Sequence, residues 1–254
     1  MKHNETVESE FTRQAETFRS SATLSADAIT ARVGEALAPD TRRVLDIACG
    51  PGLLLPTLAE HAETVVGIDL TRKSLRLARQ DDTTKRVHLA RSLAESIPFA
   101  DASFDAVVLR LALHHFVDPE AVLSAAHRVL GGGGRLVVLD VLGPSDGRMA
   151  ELRDALERLR DPSHTALLSR ERMEEALDRR GFSVREASLW SQTRAFPEWA
   201  RIINEPRRMA DLEIVLRALL QSGDPTGLAL REEAGELTFT YDWGLFVAET
   251  PPTG

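Results

Sequence analysis

A single cysteine, Cys49, stands in the 254 residues, so no internal disulfide can staple this chain. No basic start followed by a short apolar run is present, nor any long uncharged apolar run, and a soluble cytoplasmic protein without membrane association is therefore expected. A surplus of basic charge is also missing: 31 Lys and Arg face 39 Asp and Glu, a formal net charge of −8. Neutralising phosphates takes clustered Lys and Arg, so nucleic acid is not the expected partner and a small molecule is. There is no internal repeat, and the glycine run Gly131–Gly134 reads as a tight helix exit rather than a linker. No metal-ligand set is expected, and a monomer or a homodimer fits equally.

What the chain has is an alternation of apolar runs and helical patterns. Residues 1–41 read as an N-terminal helical cap, with Phe11, Ala15 and Phe18 on one face and a second run from Leu24 to Leu37. Strands are predicted at 43–48, 64–68, 86–91, 104–110 and 135–141, and helices at 52–60, 72–80 and 119–130. Runs such as Ala106-Val107-Val108-Leu109 suit parallel strands covered on both faces. The fold class expected is α/β, a doubly wound Rossmann-like sheet of seven strands filling residues 42–254. Helical elements at 146–180 and 196–222 would shape a substrate pocket, and the β-branched and aromatic stretch 237–248 would close the sheet.

The densest signal is Val44-Leu45-Asp46-Ile47-Ala48-Cys49-Gly50-Pro51-Gly52, followed by the apolar run Val65–Ile68 that ends on Asp69. A strand, a glycine turn, a helix and a second strand closing on a carboxylate make a ribose-binding βαβ unit. Small residues at Ala48, Gly50 and Gly52 let backbone approach a ligand, and Asp69 can accept hydrogen bonds from ribose hydroxyls. Asp46 decides between nucleotides. A carboxylate beside the turn would repel a pyrophosphate but suits the amino group and sulfonium of S-adenosylmethionine.

This pattern resembles motif I and the following acidic loop of class I S-adenosylmethionine-dependent methyltransferases. The stretches 94–108, His114-His115-Phe116-Val117-Asp118-Pro119 and Arg128-Val129-Leu130 are similar to the group that serves quinone and natural-product biosynthesis. The resemblance implies S-adenosylmethionine as cofactor, S-adenosylhomocysteine as product, and a small organic acceptor. It implies a cofactor site of Phe18, Asp46, Ala48, Gly50, Gly52, Asp69, Leu70, Leu93, Ala94, Arg110 and Leu111. Leu93 stands where the family offers an acid to the adenine amino group, leaving Ser92, a carbonyl or water for that contact.

His114 and His115 follow the fourth strand, and Asp140 ends the fifth, on the rim where ligands of open α/β sheets bind. A neutral imidazole can take the proton of a hydroxyl acceptor while a carboxylate orients it. Similar sugar and polyphenol O-methyltransferases imply that role here; His115 with Asp140 is the preferred pair, with the order of the two histidines open. A hydroxyl of a secondary metabolite is the expected acceptor, with phenol C-methylation, N-methylation, or cofactor binding without transfer as alternatives. Trp190, Phe196, Trp199, Met209 and Leu212 lie in the segment that would shape its pocket, most of them as core filling, and Arg207 and Arg208 could meet an anionic group.

Overall fold

A computed structural model describes residues 2–21, 27–81 and 86–252. The N-terminal pattern forms α1 (Lys2–Arg19) and α2 (Asp27–Glu35); the part of the expected second run at 22–26 lies outside the described residues. Then come β1 (Arg43–Ile47), α3 (Leu55–His61), β2 (Thr64–Asp69), α4 (Arg72–Asp81), β3 (Val87–Arg91) and β4 (Phe104–Arg110). A 3₁₀ turn at Leu113–His115 leads to α5 (Pro119–Val129) and β5 (Leu130–Leu142). The rest is α6 (Gly147–Arg160), α7 (Arg170–Arg179), β6 (Ser183–Ala195), α8 (Phe196–Arg201), α9 (Pro206–Gln221), β7 (Arg231–Glu233) and β8 (Glu236–Glu249).

The strands form one sheet in the order β3-β2-β1-β4-β5-β8-β6, parallel from β3 to β5 and antiparallel at β8. The doubly wound expectation holds, but among the described residues the strands number eight rather than seven. The extra one, β7, pairs with β8 across Ala234 and Gly235, both at positive φ as a tight hairpin turn requires. Its sequence, Arg231-Glu232-Glu233, carries no strand-forming residue, and only the partner makes it a strand.

Alternate residues of the central strands feed two apolar layers. Val44, Val65, Ala106, Val108 and Val137 face one, and Leu45, Ile47, Ile68, Val107 and Leu136 the other. That is why these runs are apolar throughout. Sequential order reverses between β1 and β4, which opens a crevice at their carboxyl ends, the usual place for a ligand in such a sheet.

Three boundaries differ from expectation for local reasons. Helix α3 starts at Leu55, since Gly52 at φ +86° cannot be helical. Strand β5 starts at Leu130, its register against β4 shifting between Phe104↔Leu130 and Ala106↔Arg135 so that the glycine run is absorbed as an irregularity. The sequence predicts a further strand over 183–190, but β6 runs on to Ala195 because β8 pairs with it from Ser183 to that point.

Candidate active site

Two adjoining cavities occupy the carboxyl end of the sheet. The first, about 1060 Å³ of open space, is walled by the ends of β1, β2 and β4, the loop after β3, and α1. Phe18, Asp46, Ala48, Gly50, Asp69, Leu70, Leu93, Ala94, Arg110 and Leu111, all expected from sequence, line it.

Gly52 is the exception and corrects the expectation. It is absent from the wall, and a Cβ there would come within 2.8 Å of the Cβ of Ala78 on α4. Its bareness serves helix packing. A Cβ on Gly50, at φ +54°, would meet nothing within 4 Å, so that glycine is the one facing open space.

Asp69 ties the turn together. Its Oδ2 accepts from the Gly50 amide at 2.9 Å and its Oδ1 from the Thr71 amide at 2.7 Å. A carboxylate has about four lone-pair directions, and the Thr71 side chain takes a further one, which leaves room for a ligand's hydroxyl. Burial pushes the Asp69 carboxyl up, those amide bonds opposing. Asp46 is pushed up to about 7 by burial, with Arg110 opposing and Asp69 adding to the shift. Arg110 is itself lowered to about 10 by burial. Two buried carboxylates and a single arginine, which acts on Asp46, line this wall and leave it short of positive charge. The site therefore fits a cationic ligand such as the ammonium and sulfonium of S-adenosylmethionine.

At the outer end, Leu93 is 39% exposed at the cavity mouth. Ser92 turns its hydroxyl onto the carbonyls of Leu93 and Ser96, at 3.0 and 3.1 Å. The carboxylate that does reach this wall is Glu95, which sequence reasoning passed over.

The second cavity, about 620 Å³, shares Phe11, Phe18, Leu111 and His115 with the first. Gln14, His114, Glu157, Arg160, Asp161 and Arg194 give it a polar lining, and Trp199, Tyr241 and Trp243 an aromatic one. Of the five apolar residues noted in the pocket-shaping segment, Trp199 lines the cavity and the others fill or flank the core. Trp190 stacks on Trp243 with ring centroids 6.1 Å apart, Phe196 and Leu212 are buried core, and Met209 packs against that core. Arg208 is turned to Glu10 and the carbonyl of Arg160. Arg207 is absent from the wall.

The histidine pair sits where β4 gives way to the 3₁₀ turn. Asp140, from β5, accepts from Nδ1 of His114 at 2.6 Å and from the amides of Leu113 and Val141 at 3.0 and 2.8 Å. The expected pairing of Asp140 with His115 is therefore corrected: the carboxylate meets His114. Burial works against a charge on His114, but the Asp140 carboxylate prevails and holds the imidazole above its ordinary value.

His115 has a different support. Its Nδ1 lies 3.2 Å from the carbonyl of Ser163, which can only accept, so the ring proton is on Nδ1. The Ser163 hydroxyl is 3.1 Å from the same nitrogen and donates to Asp161 at 2.6 Å. Burial and the neighbouring His114 lower the His115 imidazole to about 3, so it is neutral at physiological pH. The segment carrying Asp161 and Ser163 lies between α6 and α7, with no motif to announce it. Among the described residues, no group of three or more His, Cys, Asp or Glu side chains could hold a metal ion.

The fold and the first cavity define a Rossmann-like domain for a nucleoside cofactor. Residues 45–138 match the methyltransferase domain family. Over 162 residues, 63% of this chain and 64% of the relative, the protein is 30% identical to the uncharacterized methyltransferase YcgJ of Bacillus subtilis strain 168. Over 121 residues, 46% of this chain and 50% of the relative, it is 40% identical to a demethylmenaquinone methyltransferase of Deinococcus radiodurans. The chain thus spans between half and two thirds of these curated relatives' length. A solved protein of Bacillus halodurans C-125, named as a methyltransferase candidate, superposes with a TM-score of 0.78 at 27% identity, covering 89% of this chain and 99% of that one.

Residues 45–138 thus carry a methyltransferase domain similar to those of the class I S-adenosylmethionine-dependent methyltransferases, as the motifs lead one to expect, and S-adenosylmethionine is the cofactor of that class.

Proposed function

We propose that the protein methylates a hydroxyl oxygen of a small organic acceptor held in the second cavity. The observation that carries this reading is His114, bonded to Asp140 at 2.6 Å and set in the wall of that cavity, next to a chamber fit for the methyl donor. The chemistry supplied by S-adenosylmethionine is an electrophilic methyl group on a sulfonium, which leaves alignment and proton removal to the protein. With Nδ1 held by Asp140, His114 takes the hydroxyl proton on Nε2, and Asp140 stabilises the imidazolium that results.

His114 is the better base of the pair. A general base works best with a pKa near the working pH, and His114 lies above the ordinary histidine value while His115 lies at about 3. Cofactor binding falls to Asp46, Ala48, Gly50 and Asp69 at the ribose and amino-acid ends. Leu93 and Ala94 would meet the adenine, with Leu70, Arg110, Leu111 and Phe18 closing the site.

Residues 1–41 act as the cap, and α1 supplies walls to both cavities through Phe11 and Phe18. The segments 146–180 and 196–222 supply acceptor-pocket elements, Glu157 and Trp199 among them. No helix of the described residues is long and apolar enough to cross a membrane. A cytoplasmic monomer or homodimer acting in secondary metabolism, without nucleic acid, completes the reading.

Incubation with S-adenosylmethionine and a panel of hydroxylated acceptors should yield S-adenosylhomocysteine and an O-methyl product. Cofactor binding without turnover on any acceptor would favour a non-transferring protein. The likeness to a demethylmenaquinone methyltransferase favours a second reading, in which the same base deprotonates a phenol and a ring carbon is methylated. The position of the methyl group in the product separates the two.

A further inference from the structure

One base suffices for methyl transfer to a hydroxyl, yet the structure anchors two imidazoles. Nδ1 of His114 is held by Asp140, and Nδ1 of His115 by the carbonyl of Ser163 at 3.2 Å. The second anchor is not needed to shape the turn. The Leu113 amide bonds to Asp140, and Thr165 bonds to the carbonyls of His114 and Phe116, with or without the His115 ring. It also comes at a cost: Asp161 is 2% exposed and Ser163 fully buried, and a carboxylate is expensive to bury. Asp161 spends Oδ1 on the amide and hydroxyl of Ser163 and Oδ2 on Gln14 of α1, so this carboxylate is committed to holding the segment behind His115.

With both Nδ1 atoms tied, each ring keeps one nitrogen, Nε2, without a hydrogen-bond partner among the described residues. Both rings line the second cavity, with centroids 4.3 Å apart. In His115 the proton on Nδ1 makes Nε2 a pure acceptor. A neutral ring also suits a position that borders the chamber for a cationic cofactor.

We propose that the second cavity takes an acceptor with hydroxyls on two adjacent carbons. One hydroxyl meets His114 and is methylated, and the other donates a hydrogen bond to Nε2 of His115. Ser163 and Asp161 are positioning residues that fix the His115 tautomer. The proposal rests on the methyl-transfer reading and narrows its substrate class to catechol-like or aliphatic vicinal diols.

The test is ligand-observed NMR on the protein saturated with S-adenosylhomocysteine, with two matched probe pairs: catechol against phenol, and cis-1,2-cyclohexanediol against cyclohexanol. The diol of one pair should bind about tenfold more tightly than its mono-ol, the worth of one added hydrogen bond in a buried site. The pair that shows the preference tells an aromatic acceptor from an aliphatic one. His115→Phe should bring the ratio close to one. Asp161→Ala, which keeps the ring and releases the Ser163 segment whose carbonyl holds Nδ1, should lower the ratio, and its melting temperature checks that it has folded. Equal binding within both pairs, or a preference that survives both substitutions, overturns the proposal. A diol preference without S-adenosylhomocysteine formed from S-adenosylmethionine would sink methyl transfer and leave the diol site standing. Equal turnover of diol and mono-ol within both pairs would do the reverse.

Discussion

The carboxylate of Asp140 lies 2.6 Å from Nδ1 of His114 and serves that histidine, while its neighbour His115 leans on Ser163. Two adjacent imidazoles in one 3₁₀ turn are thereby shifted in opposite directions, one raised by a carboxylate and one lowered by burial and by the first. Such a split assigns different tasks to chemically identical groups.

For the base, His114→Ala should lower turnover on a hydroxyl acceptor by roughly 10²–10⁴ with cofactor affinity little changed. Because the neutral imidazole is the active form, the rate should rise with pH through a value above the ordinary ~6.5 of histidine. Asp140→Asn removes the charge that raises His114, so the limb should move to lower pH as the maximal rate falls. A pH–rate profile of both proteins checks this, and an unmoved limb would remove the pair from catalysis.

For the cofactor chamber, Asp46 with a pKa of about 7 must be ionised to meet a cation. Affinity for S-adenosylmethionine should weaken by up to about tenfold per pH unit below that value, with proton release on binding near neutrality. The raised value carries a sign for stability too. The free protein binds this proton more tightly folded than unfolded, so it loses stability as pH rises through 7, and bound cofactor should offset the loss. Calorimetry in buffers of different ionisation enthalpy measures the proton count, and Asp46→Asn should abolish it.

At the ribose end, Asp69→Ala should weaken cofactor binding by about 1.5–3 kcal/mol, the range for a charged hydrogen-bond partner. It also strips acceptors from the Gly50 and Thr71 amides, so the melting temperature should fall as well. Leu93→Asp restores an acceptor at the exposed mouth and should improve affinity by about 1 kcal/mol, or fivefold. Titration calorimetry decides both, and unchanged affinity in Leu93→Asp would place the adenine elsewhere.

The two glycines of the turn should separate stability from binding. Gly52→Ala drives a Cβ to within 2.8 Å of Ala78 at φ +86°, and should cost about 1–3 kcal/mol of stability by overpacking and backbone strain. Gly50→Ala points a methyl into open space on the cavity wall, so cofactor affinity should suffer more than its melting temperature does. Thermal melts with and without S-adenosylhomocysteine distinguish them; equal melting losses would contradict the assignment.

The sequence by itself determined the sheet and its nucleotide crevice. Burial on both faces forces apolar runs, and a strand with Asp46 one residue before its end, or with Asp69 as its last residue, brings that carboxylate to the rim. Such information is local and periodic, and a linear string carries it. Tertiary structure decided what depends on distance. The glycine turn looked like three interchangeable small residues, yet Gly50 faces open space at the cavity while Gly52 faces α4. His114 and His115 are neighbours in sequence, and only the position of β5 and of the segment after α6 says which one Asp140 holds and which one Asp161 serves through Ser163. A pairing spanning 26 or 48 residues leaves no period behind, because hydrogen bonding requires proximity in space and sets no spacing along the chain.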